Sequence, residues 1–212
     1  MENSSDLQNK PSTGTGNFSW LNMPAYSRVG ADDVEMTTSP GTDFWQRTYY
    51  GFRSSNAPAF LIPVAGDFTF TVETSFSPLK LYDQCGLLLY ADDENWVKAS
   101  IEYENQHESH LGSVVTCRGY SDWAVSVVPS SSVRMFYRLS RRNDDFFLEK
   151  SEDGNIYSQM RIFHLELPAK TWQVGVYACS PLESSFLAFF SGFRLTGCTW
   201  PPFEKSLPES AS

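Results

Sequence analysis

Very little in this sequence offers ready-made chemistry. Its 212 residues include only three histidines and four cysteines. No Cys-x-x-Cys occurs, and Cys85, Cys117, Cys179 and Cys198 stand far apart, which excludes a zinc site with a close-spaced thiolate arm. His107 and His110, in the polar stretch "QHESH", are the one close pair of imidazoles, and they are expected to be solvated loop residues. No apolar run approaches the roughly 18–20 residues of a membrane-spanning helix. The opening "MENSSDLQNKPSTGTGN" has neither the basic nor the apolar part of a secretory signal. The thiols are therefore expected to be reduced and the protein cytoplasmic. Basic residues are scarce too: 16 Lys and Arg stand against 25 Asp and Glu, for a net charge of -9. With no basic run to meet a phosphate backbone, nucleic acid is excluded as a partner. There is no G-x-S-x-G elbow, phosphate-binding loop or dinucleotide fingerprint. Neither a cofactor nor a metal is expected.

Helical periodicity is missing as well, and what replaces it is informative. "DFTFTVETSF" puts Phe68, Phe70, Val72 and Phe76 on one side and Thr69, Thr71, Glu73 and Ser75 on the other, the period of two of a half-buried strand. "WVKASIEYEN" does the same, with Val97, Ala99, Ile101 and Tyr103 against Lys98, Ser100, Glu102 and Glu104. Further strand candidates arrive about every ten residues, from "CGLLLYA" to "FLAFFSGFRL", the spacing of an all-β sandwich or barrel. Turn chemistry separates them. Asp153-Gly154 supplies a residue that tolerates positive φ, and Pro181 stops the strand before it. The polar, Gly- and Ser-rich residues 1–16 and the final residues 204–212 read as flexible tails around one β-sandwich domain at 17–203.

The order of "DFWQRTYYGF", "GDFTFTVETSF", "DQCGLLLYADDENWVKASIEYENQ", "LGSVVTCRGYSDWAV" and "VGVYACSPLESSFLAFFSGFRL" resembles the family that contains the fungal regulation-of-enolase protein. The resemblance covers about residues 18–197. Its most specific pieces are Trp96-Val97-Lys98 followed by Glu102, the "VVT…SDW" pair and "VGVYACSP". It implies an all-β fold, a concanavalin A-like jelly-roll sandwich of two curved antiparallel sheets. It implies a link to carbohydrate metabolism without naming a chemistry, since function belongs to sites and not to folds.

In such a sandwich the concave sheet lines the ligand groove of sugar-binding members. If the Trp96–Glu104 strand lies there, its even positions point into the groove. Alternation in other strands adds candidates, giving an expected ligand-binding set of Trp96, Lys98, Glu102, Asp122, Trp123, Arg138, Arg161 and Tyr177. Aromatic faces stack on sugar C–H surfaces and charged groups bind hydroxyls or carboxylates. Arg138 and Arg161 are the expected partners of Glu102. The resulting expectation is a non-catalytic module for a carbohydrate or sugar-phosphate-like ligand. Two alternatives are a regulatory factor with a protein partner and a glycoside hydrolase. The hydrolase would use Glu102 and Glu104, whose spacing on one strand face is compatible with an acid and nucleophile pair. The glucanases of this fold carry three alternating acids, however, and this strand has two. The acidic run "ADDEN" at 91–95 lacks the Asp and Gly alternation of a calcium loop and reads as a solvated hairpin.

Overall fold

A computed structural model of the chain describes residues 12–167 and 171–203. The alternating segments all become strands: β1 (Ser12–Thr13), β2 (Ser19–Leu21), β3 (Tyr26–Val29), β4 (Asp33–Thr37), β5 (Phe44–Gln46), β6 (Arg53–Ser55), β7 (Ala59–Val64), β8 (Phe68–Phe76) and β9 (Gln84–Asp92). They continue as β10 (Asn95–Tyr103), β11 (Glu108–Cys117), β12 (Tyr120–Pro129), β13 (Arg134–Arg142), β14 (Asp145–Ser151), β15 (Ser158–His164), β16 (Trp172–Cys179) and β17 (Leu187–Gly197). One antiparallel sheet runs β15-β14-β13-β8-β17-β4-β3, with β1 also paired to β17. The second runs β12-β11-β10-β9-β16-β7-β2, and β5 with β6 forms a separate ribbon. This is the jelly-roll sandwich of two antiparallel sheets. No helix long and apolar enough to cross a membrane occurs among the described residues.

The main core lies between the sheets and is built by the period of two. Phe68, Phe70 and Val72 of β8 face Val97, Ala99 and Ile101 of β10, joined by Val174 and Val176 of β16. Phe146 and Phe163 stack at 5.1 Å, with Trp172 edge-on to Phe146 at 5.5 Å. Burying one such aromatic removes 150 Å² or more from water, so these few rings contribute much of the stabilisation. Asp153 closes the β14–β15 turn through backbone amides of Asn155 and Ile156. Gly154 there takes a φ of 76°.

Two expectations change. Residues 12–16, read as tail, are pinned: Ser12 and Thr13 pair with β17, and Thr15 is buried against the carbonyl of Gly30. The rest of that tail, and the C-terminal one, lie outside the described residues. The second change is to β10, which is not half-buried. Trp96, Lys98 and Ser100 are buried, as Val97 and Ala99 are. The cause is the β5–β6 ribbon, which packs over the outer face of the second sheet. Phe44, Trp45, Leu88, Tyr90, Trp96, Val114 and Tyr177 make a second, smaller core beneath it.

Candidate functional site

The outer face of the second sheet carries a row from each of four neighbouring strands. Strand pairing sets Lys98 of β10 opposite Leu88 and Val114, Ser100 opposite Gly86 and Gly112, and Glu102 opposite Gln84 and His110. On the far side of β11, Trp123 of β12 pairs with Val114. Small residues bring this row together. A Cβ on Gly86 would lie 1.8 Å from the Ala99 carbonyl, and one on Gly112 would meet the Trp123 indole nitrogen at 2.9 Å. Gly112 therefore gives the Trp123 ring its seat across β11.

The ribbon supplies the roof. Gln46 donates its backbone amide to Ser121 at 3.0 Å, and Arg47 donates to the Gly119 carbonyl at 3.0 Å. Arg53 bonds Gln46 and Glu94, both at 2.9 Å. Asn22 donates to the carbonyls of Ser55 and Ala57 at the other end. Between roof and sheet lies a cavity of about 630 Å³, lined by Asp43, Trp45, Tyr50, Phe52, Arg53, Tyr82, Gln84, Lys98, Ser100, Glu102, His110 and Trp123 among others. Its size is that of a small-molecule site. The Trp45 and Trp123 rings meet edge to face at 6.4 Å, so their faces point different ways along its wall.

Two bonded groups form the floor. In the first, Lys98 Nζ lies 3.2 Å from Asp43 Oδ1, which also accepts the Phe44 amide. Burial works against the Lys98 charge, but the Asp43 carboxylate, and Cys179 and Glu102 once they ionise, outweigh burial and leave its pKa above the ordinary lysine value. In the second, Gln84 donates to Glu102 Oε2 while its own carbonyl oxygen accepts from the Tyr177 hydroxyl at 2.8 Å and from Ser100 at 3.3 Å. Burial raises the Glu102 pKa to about 8, and nearby Asp43 and Glu104 push the same way. Lys98 and the Gln84 bond offset this only in part. At neutral pH Glu102 is thus a neutral acid beside a charged lysine. Glu104 continues the row, with its carboxylate 2.9 Å from His110 Nδ1. That contact is out of line for a hydrogen bond, and Nδ1 has no hydrogen-bond partner.

Of the residues expected from sequence, Lys98, Glu102 and Trp123 line this cavity. Trp96 does not: its ring is fully buried against Phe44 at 5.5 Å. Tyr177 is also fully buried and acts from below, orienting Gln84. Asp122 has the opposite parity to Trp123 and leaves the groove face to bind Arg161 of β15 at 2.5 Å. Arg138 belongs to the other sheet, where it grips Glu149 at 2.6 and 2.7 Å and stacks on Tyr157. Neither arginine reaches Glu102, so the expected ion pairs are replaced by the Gln84 amide. His110 is no loop residue, because it sits in β11 facing the cavity. Asp43, Trp45, Gln84 and His110 are the functional candidates that strand alternation in β10 alone did not indicate. The "ADDEN" run forms the β9–β10 hairpin, with Asp92 accepting from Glu94 and Asn95.

Comparison with known proteins places the fold and the family. Regulation of enolase protein 1 of Saccharomyces cerevisiae is 30% identical over 177 residues, covering 84% of this chain and 88% of the yeast protein. A crystal structure of a functionally unknown protein from the same yeast superposes with a TM-score of 0.81 at 30% identity, over 87% of this chain and 98% of that one. A GH43 protein, BlXynB of Bacillus licheniformis, shares the fold at a TM-score of 0.66 and 15% identity, over 89% of this chain and 38% of that one. The profile of the DUF1349 family, described as a protein of unknown function, matches residues 20–198. The chain belongs to the DUF1349 family, to which the resemblance in its strand sequence already pointed.

Proposed function

We propose that the roofed cavity binds a carbohydrate or a closely related polyhydroxylated ligand, without cleaving it. The observation that carries this is the pairing of chemistries around one space. A lysine–carboxylate pair and a neutral Glu102–Gln84 pair stand on the floor, and two indoles stand on the walls. A sugar ring needs both: donors and acceptors for its hydroxyls, and a flat apolar face for its C–H surface. Lys98 and the Arg53 guanidinium also suit an acidic or phosphorylated sugar. The test is calorimetry and thermal shift against a panel of neutral, acidic and phosphorylated mono- and disaccharides. The expected result is a rise in melting temperature with some members, abolished by Trp123→Ala. A panel without effect on the wild type would overturn it. Hydrolysis through Glu102 and Glu104 is tested by adding chromogenic glycosides to the same panel.

A regulatory protein contact is the second reading. It rests on the exposed aromatic tip of the ribbon, where Tyr49 is 94% accessible beside Tyr50 and Phe52. The name of the yeast relative points the same way. Tyr49→Ser, at the tip residue that does not line the cavity, should abolish capture of a partner while leaving ligand-induced thermal shifts intact.

A further inference from the structure

We propose that Glu102, Glu104 and His110 form a binding site for one divalent transition-metal ion at the end of the cavity. One ligand atom from each of the three lies within 4.8 Å of the others. Their placement follows from strand pairing: Glu102 and His110 are direct partners across β10 and β11, and Glu104 is two residues farther along the same face. Ligands on a tetrahedral ion stand about 3.4 Å apart, given metal–ligand bonds of about 2.0–2.1 Å. Small side-chain rotations therefore close the triad.

The second observation is the state of His110. Its Nδ1 is buried and unpartnered by any hydrogen bond, although a carboxylate oxygen lies 2.9 Å away. A ring nitrogen and a carboxylate oxygen this close and misaligned are placed to share a cation sitting between them and Glu102. Among the described residues, the two side-chain cations that line the cavity have partners elsewhere: Lys98 is bonded to Asp43, and Arg53 to Gln46 and Glu94. The support behind the triad is also in place. Gln84, held by the Tyr177 hydroxyl, fixes one oxygen of Glu102 and leaves the other free for a ligand, and outer partners of this kind orient metal ligands. Binding would release to solvent the proton that Glu102 holds at neutral pH, and one imidazole with the two carboxylates then present suits Zn²⁺ or Mn²⁺ better than Ca²⁺, which takes six to eight oxygens. With three protein ligands, the remaining positions open on the cavity, where ligand hydroxyls or water would complete the shell. His110 can join the triad because it stands in β11 opposite Glu102 and not in a loop.

This inference does not depend on the carbohydrate reading, since metal binding is measured with no sugar present. The full chain is treated with EDTA, dialysed, and titrated with ZnCl₂ and MnCl₂ by calorimetry and thermal shift. The expected result is one ion per chain and a melting-temperature rise of about 5–10 °C at a hundredfold excess over Kd. His110→Ala and Glu104→Gln, each checked for native circular dichroism, should weaken binding at least about tenfold. Replacing Cys117 and Cys198 by Ser, the two thiols that are not buried, should leave it unchanged. Bound Co²⁺ should show no thiolate charge-transfer band. Absence of binding at millimolar metal would overturn the proposal. So would binding that survives in both ligand variants, or is lost in the cysteine variant.

Discussion

Replacing Glu102 by Gln should stabilise the protein at alkaline pH and change nothing at acid pH. The wild-type carboxyl keeps its proton up to about pH 8 in the folded state, against 4.5 in its ordinary environment. Between those values the folded chain binds more protons than the unfolded chain, so the Glu102 contribution makes stability fall as pH rises through that window. Above about pH 8 both states are ionised and the loss is complete. Full desolvation would make that loss about 5 kcal/mol, at 1.36 kcal/mol for each pH unit between the two values. Glu102 keeps one edge on the cavity, where water screens it, and about 1–3 kcal/mol is the expected figure. Glutamine retains an acceptor for Gln84 and carries no charge, so the variant escapes the loss. The assay is urea unfolding of both proteins from pH 4.5 to 9.5 in EDTA, which keeps the cavity free of divalent ions. The difference in unfolding free energy, variant minus wild type, should be near zero at pH 4.5, rise through neutral pH and level off above 8. A flat difference, or a variant less stable than wild type at pH 9, would refute the reasoning. The second outcome is what an arginine partner for Glu102 would have produced.

Three further outcomes follow from the same geometry. Asp43→Asn leaves the buried Lys98 ammonium without its counter-charge and should cost about 3 kcal/mol or more, read by the same denaturant unfolding. Arg138→Met leaves the buried Glu149 carboxylate on the other sheet without its two-bond partner; it should cost about 1–3 kcal/mol and leave ligand and metal titrations unchanged. A disulfide-exchange reagent applied to the native protein should modify Cys117 and Cys198 and spare Cys85 and Cys179. Burial pushes both of the protected thiols well above the usual cysteine range, and mass spectrometry of the labelled peptides reports which reacted.

Strand alternation made the sandwich legible, because a period of two with turn residues between segments has few other solutions. It did not show which sheet a polar row belongs to. Arg138 and Lys98 occupy equivalent places in equally regular patterns, yet they sit on opposite layers of the sandwich. Nor could alternation in β10 reveal that its polar face is covered. The cover comes from Asp43 to Ala57, about 50 residues upstream, and no periodicity links that segment to β10. His110 was within reach of the sequence. A reversal centred on Gln106 sets it opposite Glu102, and treating "QHESH" as loop throughout hid that register. The Gln84 and Tyr177 contacts were out of reach, since they join strands far apart in the chain.

The ribbon described above divides the labour of the cavity between two segments that share no strand. The floor residues other than Asp43 are locked into the sheet that stabilises the whole protein, so few of them can change without loss of the fold. The tip of the roof, residues 47–52, contributes Tyr50 and Phe52 to the cavity while carrying almost none of the main core. Substitutions there can diversify what is recognised at little thermodynamic expense. A library confined to those six positions is the natural starting material for directed evolution of new ligand preferences on this scaffold.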